Sequence, residues 1–304
     1  MYDDIEFIIA AGGKSTRNYP HSKGLPHKCL MPFGDVRLID FVLREIIDMG
    51  GRHITMVCST QEVIDGFKEA LKTDKAIVEK MRSKNRHKIA DAIEETFLPE
   101  DIDLKFIIQK VPIGTCQVMA LGHKLSPNRH GVLIFPDDII VSKDRKNSNL
   151  KKMVDLFLKN PKQIVVLGVE KEDVSNNAIL TNKRLIEKPK VPANHVGIFS
   201  PCVFPKELLD FITKENDEIE RTGQMPRQLS VGEWVYVDGI NSFLDSLEDD
   251  SLYPITVYKK DEDDLLLDTG ILHLYQQAQL LALLKLSRFK EDNIAYVKKL
   301  LDIK

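Results

Sequence analysis

The residues best suited to chemistry lie near the start of the chain. The apolar run Phe7-Ile8-Ile9-Ala10-Ala11 breaks into Gly12-Gly13. Lys14, Arg17, Lys23 and Lys28 follow, with Arg37 just beyond. A buried strand opening into a glycine-rich, cationic loop is a way to hold a phosphate: glycine lets backbone N–H groups approach the anion, and the cations neutralise it. The natural occupant is the triphosphate of a nucleotide. Two familiar phosphate loops are excluded. Gly13-Lys14-Ser15 imitates the end of GxxxxGK[ST], but Ile8 stands where the leading glycine is required. Thr16-Arg17 follow where the dinucleotide fingerprint GxGxxG needs its third glycine.

The elements that position this loop follow from hydrophobic period. Residues 5–10 read as a strand, 36–49 as a helix ended by Gly50-Gly51, 54–58 as a strand, and 60–72 as a helix with Thr60 as N-cap. Residues 74–97 form a charged helical excursion. Strand 104–109, a turn at 112–115, helix 115–125 and strand 132–135 lead into Pro136-Asp137-Asp138; helix 150–158 and strand 163–168 follow. This alternation predicts parallel strands with right-handed crossovers in a doubly wound sheet. Ligands of such sheets bind beyond the carboxyl ends of the strands. Gly12–Lys28, Gln109–Thr115 and Asp137-Asp138 all fall at that edge. After residue 170 the rhythm changes. We expect a hairpin (178–180 with 185–186), a strand at 196–199, a short helix 205–213, a mobile loop over 214–230 and a helix at 237–247. A strand at 253–258, Leu267-Asp268-Thr269-Gly270, an apolar helix 271–286 and an amphipathic helix 291–301 complete the chain.

Bulk properties narrow the function classes. The chain has 304 residues, 43% hydrophobic and 29% charged, which is the composition of a globular α/β protein. A net charge of −3 gives no basic field for nucleic acid. No apolar run approaches the roughly 20 residues that span a bilayer, and the acidic start MYDDIEF is no signal peptide. The four cysteines are scattered, with no zinc spacing, so we expect reduced thiols in a cytoplasmic protein. The dispersed histidines are assigned no catalytic role.

The ordered motifs resemble the sugar-1-phosphate nucleotidyltransferases, most closely the bacterial UTP–glucose-1-phosphate uridylyltransferases. The family's G-x-G-T-R, proline and K-x-L-x-P are matched by Gly13-Lys14-Ser15-Thr16-Arg17, Pro20 and Lys28-Cys29-Leu30-Met31-Pro32. Gln109 to Ala120 is similar to the base-binding segment Q-x-x-x-x-G. Pro136-Asp137-Asp138, Glu187-Lys188-Pro189 and Leu267-Asp268-Thr269-Gly270 match three later motifs, over some 260 residues in all. The chain departs from the pattern at Ser15, usually glycine. It also carries one extra residue around His27, and has Asn177-Ala178 in place of a Tyr-Gly pair.

The resemblance implies a Rossmann-like nucleotide-diphospho-sugar transferase fold with a mostly parallel mixed sheet. It implies one domain, 1–304: a nucleotide half to about 170, a sugar half to about 270, and C-terminal helices from 271. The reaction implied is Mg²⁺-dependent transfer from a nucleoside triphosphate to a sugar 1-phosphate, giving UDP-sugar and pyrophosphate. By carry-over, Arg17 and Lys28 face the triphosphate, and Gly12, Gly13, Gln109 and Gly114 bind the nucleotide. Gln109 would offer donor and acceptor to a pyrimidine edge. Glu187, Lys188 and Gly197 hold the sugar phosphate, and Asp137 and Asp268 the Mg²⁺, whose preference is for a few hard oxygen ligands. The resemblance also implies a homo-oligomer. Thymidylyl, cytidylyl or adenylyl transfer, and a sugar-nucleotide sensor without turnover, remain alternatives.

Overall fold

The computed structural model describes residues 2–226 and 229–302. β1 (Ile5–Ala11) is buried on both faces in the middle of a large sheet, its one charged side chain, Glu6, accepting from the Thr55 hydroxyl. Its neighbours β4 (His53–Cys58) and β6 (His130–Ile134) both run parallel to it. β5 (Asp103–Ile108) pairs in parallel with β4 and ends the sheet on that side. The short strands β2 (Pro32–Phe33) and β3 (Val36–Arg37) form a separate hairpin ahead of α1 (Leu38–Met49). The predicted start of that helix at Val36 is therefore two residues early. Asp40 caps it by accepting from the Arg37 N–H, and Gly50, at φ 103°, ends it.

On the other side β6 meets β11 (Val196–Phe204), which runs antiparallel to it. β11 also pairs antiparallel with β8 (Ile164–Glu170) and β9 (Ala178–Thr181). β9 turns back into β10 (Arg184–Glu187), and β12 (Ile255–Lys259) lies parallel to β8. Only β10 and β11 run against the other seven strands, so the sheet is mixed but mostly parallel, as expected. β11 extends five residues beyond the predicted 196–199, with a register shift between Phe199 and Cys202.

Helices cover both faces. α1, α2 (Gln61–Ala70) and α6 (Asn149–Lys159) pack over Phe7, Ile9, Ile54 and Met56. α5 (Thr115–Leu125), α7 (Lys206–Thr222) and α8 (Tyr236–Asp245) cover Ile8, Val57 and Leu133. The alternation of Phe7 and Ile9 against Ile8 follows from the two-residue period of a strand. The charged excursion is a pair of helices, α3 (Lys75–Ser83) and α4 (His87–Glu95).

The structure corrects the expectation for the segment after Thr213. The mobile loop predicted over 214–230 is helical to Thr222. Leu208, Leu209, Ile212 and Asn216 are buried at helical spacing, and Ile219 packs beside them. Lys124 of α5 ties the polar face down through Asp217 and Glu220. Gly223, at φ 71°, ends the helix; residues 227–228 of that expectation lie outside the described residues. The helix expected over 271–286 is present as α9 (Leu272–Leu281) continued by a π-helical turn, Ala282–Leu286, and the one expected over 291–301 as α10 (Lys290–Leu300). A two-stranded ribbon absent from the sequence reading, β7 (Asp138–Val141) with β13 (Leu265–Asp268), carries the two acidic motifs.

Candidate functional site

The loop after β1 has the close approach that glycine permits. A Cβ on Gly12 would lie 2.9 Å from Gln109 Oε1, whereas one on Gly13 would meet nothing within 4 Å. Ser15 adopts φ 60°, ψ 14°, the left-handed region that explains a glycine preference at this position. Its hydroxyl has a compensating use: it accepts from the Lys28 N–H at 3.0 Å. His27, the extra residue, is buried against Phe67. Its Nδ1 accepts from the Cys29 N–H, capping the short helical turn Lys28–Leu30. Burial, together with the Lys28 charge, lowers the His27 pKa to about 4, so the ring is neutral at physiological pH. Both departures from the family pattern thus build the turn that presents Lys28.

Lys28 Nζ donates to Asp137 Oδ2 in a largely buried ion pair. Burial raises the Asp137 pKa, but the Lys28 ammonium more than offsets this and the net shift is downward; Arg17 adds to the lowering. Asp138 and Asp268 face each other in the β7–β13 ribbon. Burial, then the charges of Asp137 and Asp268, push Asp138 up to about 8. Asp138 Oδ2 accepts from the Ser200 N–H at 3.4 Å, and Ser200 Oγ accepts from the Phe135 N–H at 2.8 Å. The register shift in β11 thus falls where it supports the acidic turn, a frequent use of a bulge.

Gly270 marks where these groups converge. A Cβ added there would be 2.8 Å from Asp137 Oδ2, 3.1 Å from Asp268 Oδ1 and 3.6 Å from an Arg17 guanidinium nitrogen. Two buried residues lock the convergence. Thr269 donates to the Asp137 carbonyl through its N–H (2.8 Å) and its hydroxyl (3.0 Å). Asn18, next to Arg17, donates to the Thr269 carbonyl at 2.9 Å. Sequence reasoning missed both, because a single buried asparagine or threonine has no spacing that announces its partner. Hard carboxylate oxygens from two separate segments, Asp137 and Asp268, meet here, a donor set that a hard divalent cation would fit. Among the described residues no group of three or more His, Cys, Asp or Glu side chains forms a metal cage.

Gln109 and Gly114 lie together at the end of β5. Gly114, at φ 135°, presses against the 234–236 segment: a Cβ there would be 2.2 Å from the Trp234 carbonyl oxygen. That segment is pinned by Trp234 N–H to Ile113 O (2.8 Å) and Cys116 N–H to Trp234 O (3.0 Å). Gln109 Nε2 donates to both Gly114 O (3.1 Å) and Gln117 Oε1 (2.9 Å). The sequence suggested that Gln109 offers a donor and an acceptor to a base; in the structure both amide hydrogens are engaged within the protein, and Oε1 lies over Gly12.

The remaining candidates gather on the β10–β9–β11 side. Glu187 pairs with Ala178, the Lys188 N–H donates to Asn177 O at 3.2 Å, and Gly197 packs against Asn177 and Phe199. Lys188 is exposed and held at φ 46°, an uncommon conformation for lysine. Burial raises the Glu187 pKa, partly countered by Lys188. Burial pushes the Tyr236 hydroxyl well above its ordinary range, and nearby Cys202, Glu187 and Asp138 add to the rise. Lys14 and Lys23 are exposed, and Arg37 is engaged with Asp40.

The fold is shared with solved structures. A UDP-glucose pyrophosphorylase from Acinetobacter baumannii superposes with TM-score 0.77 at 15% identity, over 99% of this chain and 100% of that one. The UTP-bound UGPase from the same organism gives 0.76 at 15%, over 98% and 99%. A Bacillus anthracis protein designated a glucose-1-phosphate thymidylyltransferase gives 0.64 at 18%, over 92% and 95%. At these identities the likeness establishes the fold. No curated protein sequence is significantly similar to the chain. The nucleotidyl transferase family model matches residues 6–230, from the first residues of β1 to beyond α7, and on that match the chain belongs to the nucleotidyl transferase family and is a nucleotidyltransferase.

Proposed function

We propose that the chain transfers a uridylyl group from UTP to a sugar 1-phosphate, glucose 1-phosphate being the first candidate, with release of pyrophosphate. The observation that carries this reading is the convergence of Arg17, Lys28, Asp137 and Asp268 beside Gly270. Gln109 lies at the nucleoside end of the loop and Glu187-Lys188 on the adjoining patch. The sugar phosphate is already ionised and needs no strong base to attack the α-phosphorus. Catalysis is then a matter of aligning two polyanions and neutralising the charge that builds up.

In this reading Arg17 and Lys28 bind the triphosphate, and the backbone of Gly12 and Gly13 lies along it. Lys188 takes the phosphate of the acceptor, and Glu187 its hydroxyls. Asp137 and Asp268 would hold Mg²⁺, which when bound supplies charge neutralisation between the reacting phosphates. Thr269 and Asn18 hold Asp137 and the arginine-bearing turn in register. We assign residues to about 170 to the nucleotide and 171–270 to the acceptor, within one domain. The thymidylyltransferase designation of one structural neighbour favours a second reading, in which thymine replaces uracil.

The test is a matrix of nucleoside triphosphates against sugar 1-phosphates with Mg²⁺, read by pyrophosphate release. UTP with a hexose 1-phosphate is expected to lead. No release with any pair would overturn the proposal.

A further inference from the structure

We propose that Gln117 sharpens the choice of nucleobase edge, by taking the second hydrogen of the Gln109 amide that Gly114 O already orients. This rests on the nucleotidyl-transfer reading and narrows it. A carbonyl oxygen can only accept, so the group of Gln109 that faces Gly114 O, at 3.1 Å, is its NH₂. The second hydrogen of that NH₂ points at Gln117, 2.9 Å away, which must therefore present its own oxygen. The Ile113 N–H, directed at the same Gln117 oxygen at 3.5 Å, agrees with that orientation. Each amide is thus oriented by a backbone group of the turn 113–114. Both side chains are buried, 5% and 6% exposed, so water does not compete for these bonds.

The consequence is chemical. With both hydrogens taken, Gln109 presents a carbonyl oxygen alone, aimed over Gly12 at the mouth of the phosphate loop. A pure acceptor matches a ring N–H. Uracil and thymine carry one at N3, whereas cytosine has a lone pair at that position. Turning the Gln109 amide to suit cytosine would give up two bonds and set its oxygen against the Gly114 carbonyl. Without the Gln117 oxygen one of the two bonds that hold the amide is gone, so turning it costs less, with the Gly114 carbonyl still opposing the turn. Gln117 is therefore a positioning residue: it acts on the base through Gln109.

The experiment measures kcat/KM for UTP, dTTP, CTP and 3-methyl-UTP, with glucose 1-phosphate and Mg²⁺, in the full chain and in its Gln117→Met and Gln117→Glu variants. The unaltered protein is expected to prefer UTP and dTTP over CTP and 3-methyl-UTP by about 10²-fold or more. Gln117→Met should lower the UTP/CTP ratio by about tenfold, the worth of the one hydrogen bond removed. Gln117→Glu, still an acceptor at that position, should retain the preference. The ratio is internal to each preparation, so partial loss of folded protein does not change it. Should Gln117→Met fail to fold, the 3-methyl-UTP comparison in the unaltered chain decides: equal use of UTP and 3-methyl-UTP overturns the inference. Turnover by Gln117→Met with an unchanged UTP/CTP ratio overturns the role of Gln117 alone. Failure of every nucleotide to bind or react overturns the nucleotidyl-transfer reading as well.

Discussion

Replacing Lys28 by methionine tests the coupling between the phosphate loop and the acidic turn. Lys28 and Asp137 lie 109 residues apart in sequence yet form one ion pair, with side chains 11% and 20% exposed. Removing one partner of a fully buried pair costs about 3–5 kcal/mol, because the other charge is left uncompensated. Partial exposure places this case lower, at about 2–3 kcal/mol. The stranded carboxylate also lies close to Asp138 and Asp268, so the loss is felt by three acids at once. In a chelator the variant should therefore melt about 5 °C below the unaltered protein. Mg²⁺ should reverse much of the loss, since a ligand at 100 times its Kd adds about 2.7 kcal/mol. If Asp137 holds the metal as proposed, the gain should exceed that of the unaltered protein, where Lys28 would compete with Mg²⁺ for that carboxylate. The assay is thermal or urea unfolding across a Mg²⁺ titration, and needs no substrate. A variant as stable as the parent in chelator, or one that gains less from Mg²⁺ than the parent, would refute the reasoning.

Other perturbations follow from particular contacts. Gly114→Ala forces a methyl group onto the Trp234 carbonyl at positive φ and should cost about 3 kcal/mol or more by urea unfolding. Gly13→Ala meets no neighbour and should leave stability within about 0.5 kcal/mol while weakening nucleotide binding in calorimetry. Thr269→Val removes one of two hydrogen bonds to the Asp137 carbonyl and should weaken Mg²⁺ binding about tenfold, read by titration calorimetry. Burial holds the Glu45 carboxyl up at about 7, from 4.5. The folded state thus binds the proton more tightly than the unfolded chain: this stabilisation is full below about pH 4.5 and is lost as the pH rises through 7. Glu45→Gln should match the parent near pH 4.5 and exceed it by about 3 kcal/mol above pH 8 in urea unfolding.

Much of the nucleotide half was legible in the sequence, because parallel strands buried on both faces read as apolar runs and their connecting helices keep a helical period. The carboxyl-edge rule then brought Gly12–Lys28, Gln109–Gly114 and Asp137 together before any geometry was known. Three kinds of information were hidden. The far end of α7 is mostly charged, and its few buried side chains do not stand out among acids and lysines. The β7–β13 ribbon has four residues per strand, too short for a period to register, although it carries Asp138 and Asp268. The functional state of a side chain depends on neighbours chosen by the fold. Gln109 reads as a versatile amide until Gly114 and Gln117 take its hydrogens, and Lys28 reads as a free cation until it meets Asp137. Ser15 and His27 looked like departures from a motif and proved to be parts of the turn that presents Lys28.

Transfer of the α-phosphoryl group at the meeting point of Arg17, Lys28, Asp137 and Asp268 can be followed with UTP labelled separately at the α- and γ-phosphates, incubated with glucose 1-phosphate and Mg²⁺. The α-label should appear in UDP-glucose and the γ-label in pyrophosphate. Asp137→Asn and Asp268→Asn should each abolish most of both signals while binding of UTP is still detectable. Release of the γ-label as inorganic phosphate, or full transfer by both aspartate variants, would contradict the account.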